Sequence, residues 1–146
     1  MVGTISDTEG KTFTGGCHCG GVRFRLTGPL RKVLICHCDD CRKLAGASWS
    51  ATGVGNENCH FISDETLTWY DSSAWARRGF CNQCGSNLFY HLKGQGALSV
   101  ATGMLDDASG LAVAGQIFKA SHPEWGPVDS QSTPELDDEL VVNYVK

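Results

Sequence analysis

The sequence predicts a mainly β, turn-rich domain with very little helix. Three features point there. The chain holds 18 glycines in 146 residues, well above the usual share of about 7%. Its apolar runs are short and alternate with polar residues, and only one short stretch carries the start and stop signals of a helix. A chain of this length fits a single domain that can bury a core without covalent cross-links. We read residues 1–12 as a flexible polar arm and residues 13–146 as that single domain.

Taken in order, Val22, Phe24 and Leu26 alternate with Arg23 and Arg25, the period-two pattern of a strand with one buried face. Residues 33–35 read as a further strand. Residues 40–45 read as a short helix with Asp40 as N-cap and Gly46 where it stops. Leu67 and Trp69 alternate with Thr66, Thr68 and Tyr70, and Leu88, Tyr90 and Leu92 alternate with Phe89 and His91, so both segments read as strands. Short apolar runs at 75–80, 97–101, 117–120 and 140–145 are strand candidates too, although periodicity alone does not separate a short strand from a helix turn. Three of the four prolines fall within 121–138, which reads as a surface loop.

Composition narrows the partners. With 12 Lys+Arg against 16 Asp+Glu the net charge is −4, so no overall field draws in a polyanion and nucleic acid is not expected. No apolar run is long enough to span a bilayer and the N-terminus lacks the pattern of a secretory signal. The expected location is cytoplasmic, without a membrane partner, and no residue pattern specifies an oligomer. In a reducing compartment clustered cysteines are metal ligands more readily than cystines.

The cysteines fall as Cys17-x-Cys19, Cys36-x-Cys38-x-x-Cys41, Cys59 alone and Cys81-x-x-Cys84. Zinc takes four tetrahedral ligands, and two cysteines on one tight turn can both reach it. Gly15, Gly16, Gly20 and Gly21 flank the first pair and Gly85 follows the last, so the backbone can turn and aim its N–H groups at sulfur. The two pairs add up to one closed, structural tetrathiolate that ties the start of the domain to a distant hairpin. A redox pair would sit at a helix N-terminus, whereas residues 80–86 lie between strand-like stretches. The middle cluster supplies three thiolates and no obvious fourth, and an open position is what separates catalytic from structural zinc. The alternative is closure by His37, Asp39, Asp40, Cys59 or His60. Two zinc ions per chain follow.

Other residues near these clusters invite weaker roles. His37 lies between two ligands and should face away from their metal, against the site's surroundings or the surface, and His18 likewise. Cys59 reads as a small buried hydrophobe, with a reactive nucleophile as the alternative. Arg42, just after the third thiolate, is either solvated or set to offset the thiolate charge.

The segments Gly16-Cys17-His18-Cys19-Gly20-Gly21-Val22, Cys36-His37-Cys38-Asp39-Asp40-Cys41-Arg42, Phe80-Cys81-Asn82-Gln83-Cys84-Gly85 and Gly103-Met104-Leu105-Asp106 resemble the glutathione-dependent formaldehyde-activating enzyme family, which also includes centromere protein V. The resemblance spans roughly residues 13–125. It implies an antiparallel β-tent, with a structural zinc on Cys17, Cys19, Cys81 and Cys84 and a catalytic zinc on Cys36, Cys38 and Cys41. It also implies a carbon-sulfur lyase that joins formaldehyde to glutathione as S-hydroxymethylglutathione. One departure is visible: Gln116-Ile117-Phe118 stands where the family pattern leads us to expect His-Ile-Phe.

The expected function is therefore a zinc-dependent lyase or synthase that holds a deprotonated thiol such as glutathione against a small aldehyde such as formaldehyde, or polarises the aldehyde oxygen. A zinc hydrolase of amides, lactams or esters and a non-catalytic zinc-binding interaction module are the alternatives. A B-type methionine sulfoxide reductase is set aside, because only Cys59 is left to serve as its nucleophile. An anionic thiol needs local cations, and Arg42, Lys43, Arg77, Arg78 and Lys119 are nearest the motifs.

Overall fold

The computed structural model describes residues 5–125 and residue 136. Its strands are β1 Thr12–Gly16, β2 Arg23–Thr27, β3 Val33–Cys36, β4 Trp49–Gly55, β5 Cys59–Ser63, β6 Leu67–Asp71, β7 Ala76–Cys81, β8 Asn87–Leu92, β9 Ala97–Ala101 and β10 Val113–Ile117, with one α-helix, α1 Asp39–Ala45, and three single 3-10 turns. Three strands form a small sheet in the order β1-β2-β5, and seven form a large one in the order β10-β3-β4-β9-β8-β7-β6. Neighbours are antiparallel except β10 and β3, which are parallel. The mainly β prediction holds.

The large sheet is apolar on both faces, and strand register sorts the residues between them. On one face Val54 lies opposite Leu98, Thr52 opposite Val100, Val100 opposite Phe89, and Phe89 opposite Gly79. This face packs on Phe13, Phe24 and Leu26 of the small sheet, with Val22, to make the larger core. Phe89 is its centre: Phe24, Phe61 and Trp69 stand around its ring at 5.3, 5.6 and 6.1 Å. Gly79 fits tightly there: a Cβ would meet Phe89 at 3.0 Å and Leu67 and Trp69 at 3.2 Å, so these side chains would have to give by a few tenths of an ångström. The opposite face carries Leu34, Cys36, Trp49, Ala51, Ala101 and Ile117. It holds the site described below.

Several elements depart from expectation for physical reasons. Residues 5–11 do not form a loose arm. Ser6 and Thr8 are buried, the Ser6 N–H donates to Leu30 O at 2.8 Å and the Thr8 hydroxyl accepts from Leu30 N–H at 2.7 Å. The polar side chains can be buried because each is paired: the Thr8 hydroxyl with the backbone of the β2–β3 connection, and the Ser6 hydroxyl with the Ala112 N–H, from which it accepts at 3.3 Å. The helix is capped by Cys38, whose sulfur accepts from Cys41 N–H, and not by Asp40; Asp39 and Asp40 occupy the first turn. Gly46, at φ +87°, ends it as expected. No strand runs over 117–120: β10 covers Val113–Ile117 and shares only Ile117 with that stretch, and a 3-10 turn Lys119–Ser121 follows. β1, β4 and β5 are not among the expected strands. β4 is rich in Ala, Ser, Thr and Gly, and β5 is an exposed edge, so neither shows apolar alternation. Strands at 75–80 and 97–101 appear as β7 and β9. The strand expected at 140–145, and most of the loop expected at 121–138, lie outside the described residues.

The Gly103–Asp106 motif is a tie between sheets. Asp106 receives two hydrogen bonds from Arg23, at 3.0 and 2.6 Å, and one from Thr14 at 2.8 Å, while its own N–H donates to Thr14 O.

Candidate functional site

The thiols of Cys17, Cys19, Cys81 and Cys84 lie within 4.8 Å of one another and could hold a metal ion. Cys17 opens the turn after β1 and Cys81 ends β7, so the cluster joins the small sheet to the large one. The surrounding donors suit thiolates. Val22 N–H reaches Cys17 Sγ at 3.2 Å, the Thr66 hydroxyl lies 3.2 Å from Cys81 Sγ and the Ser86 hydroxyl 3.2 Å from Cys84 Sγ. Ser86, through its hydroxyl and its amide, and the Cys19 amide bring the Cys84 pKa down to about 5. Gly20 and Gly85, at φ +81° and +77°, make the two reverse turns that aim these amides.

The thiols of Cys36, Cys38 and Cys41 form the second such group, again within 4.8 Å. Cys36 closes β3, Cys38 caps α1 and Cys41 sits in its first turn, so strand end and helix start converge on one point. Among the described residues no fourth His, Cys, Asp or Glu joins them. Cys38 is the thiol that ionises most readily. The Cys36 and Cys41 thiols donate to its sulfur, and the Cys41 amide and the Arg78 charge act in the same direction.

Arg78 is the main residue that sequence reasoning misplaced. It was expected only as one of five cations for an anionic thiol; instead both of its Nη atoms lie 3.6 Å from Cys41 Sγ. The side chain is 5% exposed and its guanidinium lies over Tyr90 at 4.9 Å and near Trp49 at 5.8 Å. A buried cation stacked on two rings is fixed in place, and it offsets the charge of adjacent thiolates more strongly than a solvated one. Of the two readings of Arg42, solvated or set against the thiolate charge, the first holds: it turns to the surface and lies 3.9 Å from Asp39. Arg77 stacks on Trp69 at 4.2 Å, on the other face of β7.

A cavity of about 460 Å³ opens beside the three thiols, lined by Cys36, Cys38, Cys41, Arg78 and Arg31 among others. Tyr90, Trp49, Trp75 and Phe118 supply aromatic wall, and Asp40 faces the same space. Phe118 is held at φ +54°, a left-handed conformation that costs a bulky residue roughly 1–2 kcal/mol and that is concentrated at functional sites.

His37 does turn away from the thiols. It is buried, and its Nε2 lies 2.7 Å from Gln116 Oε1, with the His122 ring 4.8 Å away edge-on. Gln116, the departure from the family pattern, is itself buried and hydrogen-bonded to the residue between two cysteines. Its amide can match either protonation state of the ring, which a second histidine could not do without fixing a tautomer. His18 lies at the surface. Cys59 is half-buried against the larger core and burial pushes its thiol up to about 11, so it packs as a small hydrophobe. Arg31, Trp49, Trp75 and Tyr90 were not singled out from sequence. The available signal was the inward register of Arg78 with Tyr90, which needs the strand pairing to be known.

A family model described as glutathione-dependent formaldehyde-activating enzyme matches residues 12–121. An uncharacterized lyase of Schizosaccharomyces pombe is 21% identical over 135 residues, covering 92% of this chain and 98% of that protein. Two proteins provisionally named glutathione-dependent formaldehyde-activating enzymes match over shorter stretches. That of Halomonas elongata is 31% identical over 51% of this chain and 53% of its own length, and that of Pyrenophora teres f. teres 33% identical over 53% and 44%. The chain thus spans nearly all of the yeast lyase but about half of the other two. A crystal structure of a Rhodobacter sphaeroides protein superposes with a TM-score of 0.54 at 26% identity, over 64% of this chain and 87% of that one. With the family model covering both cysteine clusters and well over half of the residues, the chain belongs to the glutathione-dependent formaldehyde-activating enzyme family.

Proposed function

We propose that the protein is a zinc-dependent carbon-sulfur lyase that adds a thiol such as glutathione to an aldehyde such as formaldehyde at the Cys36–Cys38–Cys41 cluster. The observation that carries this reading is a three-thiol set, with no fourth described donor, that opens on a cavity instead of packed side chains. Four thiols with amide and hydroxyl donors around them fit a closed structural zinc, and three thiols beside a buried guanidinium fit a second zinc with room for substrate. When bound there, zinc supplies Lewis acidity and favours a deprotonated thiol.

The chain's own residues do the rest. Arg78 holds negative charge at the cluster, and Trp49 and Tyr90 hold Arg78. Burial raises the Tyr90 pKa, so its hydroxyl stays protonated and can donate to the oxygen that becomes the product hydroxyl. The apolar walls exclude water and keep the two reactants together, which removes much of the entropic barrier to addition. A sulfur–carbon bond forms as the carbonyl π bond opens, and the thiol proton ends on that oxygen. A hydrolase is less well served. Three thiolates would donate more charge to a bound zinc than three histidines, and so would leave it less able to acidify water.

Elemental analysis of protein made with adequate metal should give two zincs per chain, and such protein should consume formaldehyde with glutathione faster than the spontaneous reaction. One zinc and no rate above background would leave the middle cluster without the proposed role.

A further inference from the structure

The cavity exists because small residues meet at matched registers. On the face that carries the thiols, Cys36 is opposite Trp49, Ala51 opposite Ala101, Gly53 opposite Ser99, Ser99 opposite Tyr90 and Tyr90 opposite Arg78. Ala51 and Ser99 leave the floor low, and Arg31 covers Gly53, where a Cβ would stand 3.2 Å from the guanidinium carbon. Around this floor the apolar wall is mostly ring: Trp49, Tyr90 and Phe118, with Leu34 and Ile117 between them and Trp75, 66% exposed, at the mouth. The thiols lie at the Trp49 end, since Cys36 pairs with Trp49.

The charged groups of the lining are already committed. Arg31, 8% exposed, donates to Ala51 O at 3.1 Å and Lys32 O at 3.4 Å and approaches Ser99 Oγ at 3.5 Å. Arg78 sets both Nη atoms 3.6 Å from Cys41 Sγ. Asp40 and the ionisable thiols bring negative charge to the same space. An anionic guest would lose its hydration, find both guanidiniums engaged and meet charge of its own sign. Glutathione, with its carboxylates and ammonium, finds no matching set in this lining, so the body of such a thiol stays in solvent while its sulfur meets the cluster. An uncharged ring gives up no polar hydration and covers aromatic wall. A one-carbon aldehyde covers almost none of it, whereas a cavity of about 460 Å³ falls within the range of sites that enclose whole organic molecules, about 300–1,000 Å³.

We propose that the carbonyl substrate is an uncharged aldehyde carrying an aryl-sized ring, with the ring against Trp49, Tyr90 and Phe118 and the carbonyl carbon toward the Cys36–Cys38–Cys41 end. The assignment of the aldehyde rests on the lyase reading above; the preference of the cavity for an uncharged ring does not. Addition forms one sulfur–carbon bond, opens the carbonyl π bond and moves the thiol proton to the oxygen, so no further reactant is needed.

The test separates binding from reaction. Zinc-loaded protein is titrated with 2-phenylethanol, which cannot react, with phenylacetate, which has the ring and a charge, and with ethanol, which has neither. Tryptophan fluorescence reads occupancy beside Trp49 and Trp75. The expected result is a saturable change with 2-phenylethanol below about 1 mM, at least tenfold tighter than either control. Ala51→Leu, which raises the floor, should weaken 2-phenylethanol at least tenfold. If Ala51→Leu does not fold, Trp75→Ala at the exposed mouth should weaken it at least threefold. Equal binding of phenylacetate overturns the uncharged assignment, equal binding of ethanol overturns the aryl assignment, and a folded variant that binds like the parent overturns the location. With glutathione as the thiol, phenylacetaldehyde should show at least tenfold higher kcat/KM than formaldehyde, each above its spontaneous reaction. A preference for formaldehyde overturns the aldehyde assignment. If 2-phenylethanol binds as expected but neither aldehyde is consumed above background, the lyase reading fails while the cavity assignment stands.

Discussion

Cys84→Ser should leave the chain unfolded at room temperature, whereas Cys38→Ser should fold and melt close to the parent. The four-thiol group joins residues more than 60 positions apart and links the small sheet to the large one. Structural zinc is worth about 10–16 kcal/mol in small zinc-finger peptides, as much as the whole stability of a typical domain, about 5–15 kcal/mol. A variant that keeps even half of that energy loses most of its margin, and Cys81, fully buried, is left beside a broken set. The middle group spans six residues and closes no long loop. Cys38 also caps α1 through its sulfur, and serine is among the best residues for that position, so Cys38→Ser keeps the cap while removing a ligand. Circular dichroism melts with metal analysis check both. Equal unfolding of the two variants would make the middle cluster structural and take away the main support for an enzyme.

Arg78→Met should weaken metal retention at the middle cluster by roughly 10–100-fold, the usual cost of losing a partner that acts on a ligand, and Arg42→Met should change it by less than about threefold. A zinc ion with three thiolates carries net negative charge, and in a partly buried site that charge is costly without a counter-charge. Methionine fills similar space between Trp49 and Tyr90, so the comparison isolates charge from packing. Competition against a chromogenic chelator reads the loss, with the four-thiol site as internal reference. If Arg42→Met has the larger effect, adjacency in sequence matters more than the packing of β7 on the cluster.

Both thiol groups were legible in the sequence because metal spacing is local. Residues 17 and 19, 81 and 84, and 36, 38 and 41 each lie on one turn, and counting to four pairs the first two sets. The strands containing Phe24, Trp69 and Tyr90 were legible because apolar residues alternate along them, although only β2 buries strictly alternate positions: β8 buries the adjacent Leu88 and Phe89, since the large sheet is covered on both faces, and β6 is half-buried at most. β4 was not, since its inward positions past Trp49 are Ala51 and Gly53, and their smallness is what makes the cavity. A strand that builds a binding space by lacking side chains gives no hydrophobic signal. Arg42 looked better placed than Arg78 because it follows Cys41, but consecutive helical residues point about 100° apart. Arg78 arrives from a strand that sequence order places far away. The buried Ser6 and Thr8 were hidden for a related reason: their polarity is satisfied by backbone groups of a distant loop, which composition does not show. Gln116 could be seen as a departure, but its contact with His37 follows from the parallel pairing of β10 with β3.

A crystal structure of the zinc-loaded protein with bound thiol, phased at the zinc edge, tests the central claim most directly. The expected result is two anomalous peaks per chain, one inside the four-thiol group and one on Cys36, Cys38 and Cys41 with the thiol's sulfur as its fourth ligand. A protein side chain in that fourth position, or no peak at the middle cluster, would contradict it.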